Sequence, residues 1–147
     1  MFKKLFKKLF LSSKETLSFK QGFDLTNLPL VTLYQGEKRF NFLLDTGSSD
    51  SLINKGIISQ IEHEMEEKTA ELIGIEGNKQ NADVCILTLS YKTQKYTFPF
   101  LVYDMQKSFD HLKKEYGVNI HGIIGAKFFN AFKYVLDFDE LIAYSKK

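Results

Sequence analysis

The chain has 147 residues, about the size of one domain, and its 44% hydrophobic and 26% charged residues are an ordinary globular mix. This composition excludes a disordered chain, a collagen-like repeat and a disulfide scaffold, and no apolar run approaches the ~18 residues of a membrane-spanning helix. The net charge is +2, but four lysines lie in the first ten residues. The remaining body is slightly acidic, so it is not expected to bind nucleic acid, which needs clustered Lys and Arg.

Residues 1–13 are predicted to form a basic amphipathic tail ahead of one domain over residues 14–147. Apolar residues in the tail recur at helical spacing, at Phe2, Leu5, Phe6 and Leu9. The tail could pack on the body or on a second copy, lie on an anionic membrane surface through residues 2–11, or inhibit by covering a cleft. The single cysteine fits a reducing compartment. The predicted location is therefore the cytoplasm, with peripheral attachment to the inner membrane surface left open.

After the tail, the pattern predicts a mainly β domain with short helices. Strands are predicted where apolar residues alternate or run together, at residues 28–34, 39–44, 84–91, 96–103 and, as two strands, 134–144. Short helices are predicted at residues 57–65, 108–116 and 126–132. The acidic run over residues 62–67 is then the solvated face of the first of these helices.

The motif with the clearest chemistry is Asp45-Thr46-Gly47, which follows an apolar strand and precedes another at Leu52-Ile53. Gly47 has no Cβ, so a substrate backbone could approach it closely. The tripeptide alone also occurs in Asx-type turns that have no catalytic role. Its apolar flanks place the loop between two buried strands, which favours a functional site.

Residues 42–53 resemble the active-site loop of aspartic proteases, and the chain length is similar to the single-domain retropepsin branch, including its bacterial members. Residues 120–129 resemble the apolar-apolar-Gly segment and helix that support this loop. Residues 71–78 are similar to the flap hairpin, and residues 134–144 to the closing strands of the bacterial relatives. The resemblance implies a retropepsin-like closed β-barrel with a flap, equivalent to one lobe of a pepsin-type fold.

The resemblance implies an aspartic endopeptidase that hydrolyses peptide bonds with a water activated between two carboxylates. Aspartic proteases are the standard example of two carboxylates sharing one proton. The chain has one Asp-Thr-Gly, so the second carboxylate is expected from Asp45 of another copy, in a homodimer acting on peptide or protein substrates. No cofactor or metal is implied, and His63, His111 and His121 fit no metal motif.

The resemblance also assigns roles to single residues. Asp45 would be the catalytic acid and base, Thr46 would hydrogen-bond across the dimer, and Ser48 would donate to the carboxylate. Such a donor favours the ionised form, so an acid-shifted working range is expected. The substrate would contact the loop and the flap, at Gly47, Ser49, Asp50, Ile73, Gly74, Ile75, Glu76 and Gly77.

Two departures from the retroviral pattern bear on assembly. Retroviral members commonly carry an Asp at the position of Ser49 and an Arg at that of Ala126, and the two pair and strengthen the dimer. Because both are absent, dimerisation is expected to rest on other contacts. The alternative function is a non-catalytic, protease-like module that binds peptides or a partner. The intact Asp45 motif argues against this alternative.

Overall fold

The computed structural model describes residues 16–74 and 76–146 as ten strands, three α-helices and one 3-10 helix. In chain order these are β1 (Thr16–Ser18), α1 (Lys20–Thr26), β2 (Leu30–Gln35), β3 (Lys38–Leu44), β4 (Leu52–Asn54), the 3-10 helix (Lys55–Gln60), β5 (Glu64–Ile73), β6 (Lys79–Tyr91), β7 (Gln94–Tyr103), α2 (Gln106–Tyr116), β8 (Gly122–Ile124), α3 (Ala126–Ala131), β9 (Tyr134–Asp137) and β10 (Ile142–Ser145). The predicted tail helix lies outside the described residues. Within them, no helix has both the length and the apolar character needed to cross a bilayer.

Six strands close into a barrel. Their order is β2-β3-β8-β4-β7-β6, and β6 returns to β2 where Tyr34 pairs with Ser90. Strand β5 pairs with β6 and extends the sheet beyond the barrel as a hairpin. The predicted mainly β fold, with a closed barrel and a flap hairpin, is confirmed.

The barrel core is built from strand positions of alternating burial. On β2 and β3, Leu33, Phe40 and Phe42 are buried, whereas their neighbours along each strand face outward. Burying one such side chain stabilises the fold by roughly 1.5–3 kcal/mol. Phe128 of α3 is also buried and its ring stacks against Tyr134 at 6.0 Å, so the helix closes one end of the core.

Cys85 is fully buried on β6, as predicted for a small core residue. Burial raises the pKa of its thiol to about 11, because an apolar environment disfavours the thiolate. The thiol therefore stays protonated at neutral pH and is chemically quiet.

A second sheet has the order β1-β10-β9 and contains the two predicted closing strands. Strand β1 pairs with β10 through Thr16 and Tyr144. Neither β1 nor helix α1 is predicted from the sequence. Helix α1 is held by tertiary packing, with the Phe19 and Phe23 rings against Phe138 at 5.3 and 6.1 Å.

The predicted helix over residues 57–65 is wrong. A 3-10 helix ends at Gln60, and the acidic segment that follows belongs to β5. Backbone pairing of Met65 with Cys85 on β6 fixes this strand, and the Met65 side chain is 51% exposed rather than part of the core. Pairing with a neighbouring strand therefore overrides the helical spacing of the apolar residues. The acidic run is solvated, as predicted.

Candidate active site

Asp45 lies where strand β3 leaves the barrel. Leu44 is in register with Ile124 of the parallel strand β8, and the backbone N–H of Asp45 donates to the Ile124 carbonyl oxygen at 2.9 Å. Two strands therefore fix the backbone of this residue. Its side chain is half-buried, so the carboxylate reaches the surface while the paired strands hold its backbone in place.

The loop after Asp45 folds back onto its carboxylate. Oδ1 of Asp45 accepts a hydrogen bond from the Gly47 N–H at 2.9 Å, and the Asp45 carbonyl accepts one from the Ser48 N–H at 3.2 Å. This is an Asx-type turn, so a turn and a functional site are compatible interpretations of the same tripeptide. Within the described chain, Oδ2 has no protein hydrogen bond. This oxygen can therefore hold a proton or a water.

Ser48 makes a different hydrogen bond from the one predicted. Its hydroxyl donates to the Asp50 carbonyl oxygen at 2.7 Å rather than to the carboxylate of Asp45. A hydroxyl has one proton to donate. The expectation of an acid-shifted working range therefore loses its structural basis, and Ser48 instead braces the loop.

Helix α3 supports the loop from behind. The N–H of Ala126 donates to the Ser48 carbonyl oxygen at 2.7 Å. The next N–H, of Lys127, donates to the Ser49 carbonyl oxygen at 3.0 Å. The first N–H groups of a helix lack partners within the helix, and here the loop supplies them. The predicted supporting role of residues 120–129 therefore has a direct basis in hydrogen bonds.

An ion pair that sequence reasoning missed joins the same two segments. Nζ of Lys127 lies 2.7 Å from Oδ1 of Asp50. Each partner is one residue further along the chain than Ser49 and Ala126, where the retroviral pattern has its pair. Lys127 is 64% exposed, so the pair contributes about 0–1 kcal/mol. The sequence did contain a signal for this ion pair: an acidic residue directly follows Ser49, and a basic residue directly follows Ala126.

The predicted flap is the β5–β6 hairpin. At its tip, the N–H of Gly74 donates to the Asn78 carbonyl oxygen and the N–H of Gly77 to that of Gly74, both at 2.9 Å. Gly77 has a φ of 85°, which favours glycine. Ile73 is 59% exposed at this end. Glu76 lies in the turn, and Ile75 falls outside the described residues.

The flap hairpin shares an apolar cluster with the strand that follows the Asp45 loop. Ala70 and Leu72 of β5 pack against a buried group that includes Leu30 and Leu52. Leu52 is the first residue of β4, directly after the loop. The flap and the loop are thus joined through one hydrophobic contact region.

His121 has the structural role that the sequence suggested. Its Nδ1 accepts a hydrogen bond from the Asn41 N–H at 2.9 Å, and its carbonyl oxygen accepts one from the Asn54 N–H at 2.9 Å. The residue therefore ties the segment before β8 to β3 and β4. Burial lowers the pKa of His121 from its ordinary value of 6.5.

This lowered pKa predicts a loss of stability in acid. The unfolded chain takes up a proton near pH 6.5, whereas the folded chain resists it, so the free energy of unfolding falls as pH drops below that value. The slope is at most about 1.4 kcal/mol per pH unit, for one proton. Urea unfolding of His121→Gln should give a flatter profile below pH 6.5. Equal slopes for the wild type and His121→Gln would contradict the prediction.

A closed six-stranded barrel with one Asp-Thr-Gly loop and a flap hairpin defines a retropepsin-like fold. The chain belongs to the aspartyl protease family, whose family model, described as "Aspartyl protease", matches residues 31–128.

Two solved structures are similar to this chain. One is a retropepsin-like aspartic protease from Rickettsia conorii, 15% identical, with a TM-score of 0.49 over 88% of this chain and 91% of that one. The other is the retroviral protease-like domain of Ddi1 from Leishmania major, 14% identical, with a TM-score of 0.50 over 80% of this chain and 87% of that one. The Leishmania domain supports the retropepsin-like fold. No curated protein matches the sequence.

Proposed function

We propose that the chain is an aspartic endopeptidase whose active site forms between two copies. The observation that carries this proposal is the single Asp45 carboxylate, which β3, β8 and α3 hold at the barrel surface. Water-activated peptide hydrolysis of this type uses two carboxylates. The sequence has one Asp-Thr-Gly and no Asp-Ser-Gly, so the second carboxylate is Asp45 of the partner subunit.

The proposed chemistry divides the work between the two carboxylates. One Asp45 takes a proton from the water while the water oxygen attacks the peptide carbonyl carbon. The other Asp45 gives its proton to the carbonyl oxygen. When the resulting adduct collapses, the C–N bond breaks, the Asp45 that accepted the water proton gives it to the leaving nitrogen, and the other Asp45 takes a proton back from an adduct hydroxyl. The absence of a protein partner on Oδ2, among the described residues, supports this role because that oxygen can meet the water.

The flap and the loop would enclose the substrate between them. An extended peptide can add main-chain hydrogen bonds to such a cleft, as an extra strand does at a sheet edge. The exposed Ile73 at the flap tip supports contact with apolar substrate side chains. Closing of the hairpin over the peptide would exclude bulk water from the reacting atoms.

The test is cleavage of a complex peptide mixture from acid to neutral pH, with new termini read by mass spectrometry. Wild type and Asp45→Asn are compared at concentrations where light scattering detects a dimer. Cleavage by the wild type alone is expected. If neither dimeric protein cleaves, the non-catalytic peptide-binding module is the better description. Equal cleavage by both would mean a contaminating protease.

A further inference from the structure

A groove of about 640 Å³ lies on the outward face of the β2–β3 hairpin. Its floor consists of two cross-strand pairs, Thr32 with Asn41 and Tyr34 with Arg39. Its walls come from α1 and from residues 117–119, which follow α2. None of the residues that line it belongs to the Asp45 loop. Its volume is in the range of small-molecule sites.

Arg39 gives the groove its charge. Among the described residues that line it, Arg39 is the one with a permanent charge. No carboxylate of the described chain lies within 4.0 Å of its guanidinium. A guanidinium offers a planar set of N–H donors that fits a carboxylate or a phosphate. As far as the described residues go, the groove therefore presents a cation without a counter-ion.

The polar groups on the floor hold one another in place. The Thr32 hydroxyl donates to Oδ1 of Asn41 at 2.7 Å, and Nδ2 of Asn41 donates to the Asn119 carbonyl oxygen at 2.7 Å. The Asn41 N–H donates to Nδ1 of His121, which also lines the groove. A neutral imidazole that accepts at Nδ1 carries its proton on Nε2, so His121 keeps one N–H to donate. The His121 ring is thus held in place before any ligand arrives.

We propose that this groove binds the carboxylate or phosphate group of a small organic anion. Arg39 is the charged contact, and the Nε2–H of His121 is a neutral donor. Leu25, which is 64% exposed, and Val118 line the same groove and suit an apolar part of the ligand. This site does not depend on the Asp45 dyad, so it stands or falls separately from the proposed peptidase activity.

The test uses the full chain carrying Asp45→Asn, which also prevents self-cleavage. Benzoate and phenyl phosphate, which share a ring and differ in the anionic group, are titrated at constant ionic strength while backbone amide signals are followed by NMR. Saturable binding of either probe is expected, with shifts centred on Asn41, Asn119 and His121. Binding of one probe alone identifies which anionic group the groove takes.

Arg39→Gln is expected to weaken binding by about ten- to a hundredfold, because it removes a charged hydrogen-bond donor. Arg39→Lys keeps the charge but loses the planar set of N–H donors, so its affinity should fall between those of the wild type and Arg39→Gln. Lys38→Gln is the matched control, since its neighbouring ammonium reaches the Gln60 carbonyl oxygen at 3.3 Å instead of the groove. Binding should stay within about twofold in that control. Equal losses in the Arg39→Gln and Lys38→Gln variants, or no saturable shifts at the groove residues, would overturn the proposal.

Discussion

A tenfold excess of the Asp45→Asn chain is expected to lower the activity of a fixed amount of wild-type enzyme by about tenfold. After subunit exchange, most wild-type chains then sit in mixed dimers with one carboxylate at the site. One carboxylate cannot act as base on the water and as acid on the carbonyl oxygen at the same time. Asparagine keeps an oxygen that can accept from the Gly47 N–H, so the variant should retain the loop and compete for partners.

The measurement is the cleavage rate of one peptide against the ratio of variant to wild type, after prolonged equilibration at a total concentration where light scattering still detects the dimer. The control is the same mixture assayed immediately, before subunits exchange, which should retain the full rate. Activity that stays constant after complete exchange would place a whole active site within one chain. That result would end the dimer proposal even if the protein cleaves peptides.

Gly125→Ala is expected to destabilise the protein by about 1–3 kcal/mol and to lower its activity by about a hundredfold. A Cβ at this position would collide with the Asp50 carbonyl oxygen and lie 2.6 Å from that of Ser48. Both atoms are backbone of the loop that follows Asp45, so relief of the clash requires the loop to move. The N–H of Gly125 also donates to the buried Ser51 hydroxyl at 3.0 Å, which ties this glycine to the loop.

Urea unfolding and the peptide cleavage rate measure the two effects of Gly125→Ala. Gly74→Ala is the matched control for stability, because its Cβ would meet one atom, the Asn78 carbonyl oxygen, at an ordinary 3.9 Å. The control should unfold within about 0.5 kcal/mol of the wild type, as expected for a change that creates no clash. If both variants lose the same stability, close packing of the loop against Gly125 is not what holds it.

The barrel and its site are predictable because local and global signals agree there. The strand before Asp45 is apolar, and the loop carries a recognisable motif. The Ile123-Ile124-Gly125 segment is a second motif, which resembles the segment that supports this loop in aspartic proteases. Both segments meet in the structure through the β3–β8 pairing. A buried strand next to such a motif is therefore indicated twice in the sequence, by its apolar residues and by the motif itself.

Elements held by tertiary contacts are harder to predict. Strand β5 lies at the edge of its sheet and its first six residues are exposed, so that part has no alternation of apolar and polar residues to mark it. Helix α1 has no side-chain cap and contains Gly22, a poor helix former. In the fold, a Cβ on Gly22 would lie 2.6 Å from that of Leu30, so this glycine permits close packing that no local pattern announces.

The fine geometry of the site is also beyond the sequence. The motif indicates that Ser48 has a hydroxyl near the carboxylate, but the acceptor depends on the direction of the Asp50 carbonyl. In the same way, the ion pair forms between Asp50 and Lys127, each one residue after the position that carries the pair in the retroviral pattern. A backbone turn decides both contacts, and its direction is set only when the loop packs on α3.

The β1-β10-β9 sheet has a consequence for the order of folding. Strands β9 and β10 are joined by a short turn and can pair as soon as both exist, whereas Thr16 of β1 waits for Tyr144 at the far end of the described chain. Contacts between such distant residues carry the largest loop-closure entropy and form slowly. During synthesis, β1 leaves the ribosome long before its partner. The earliest described strand to be made is therefore among the last to be placed.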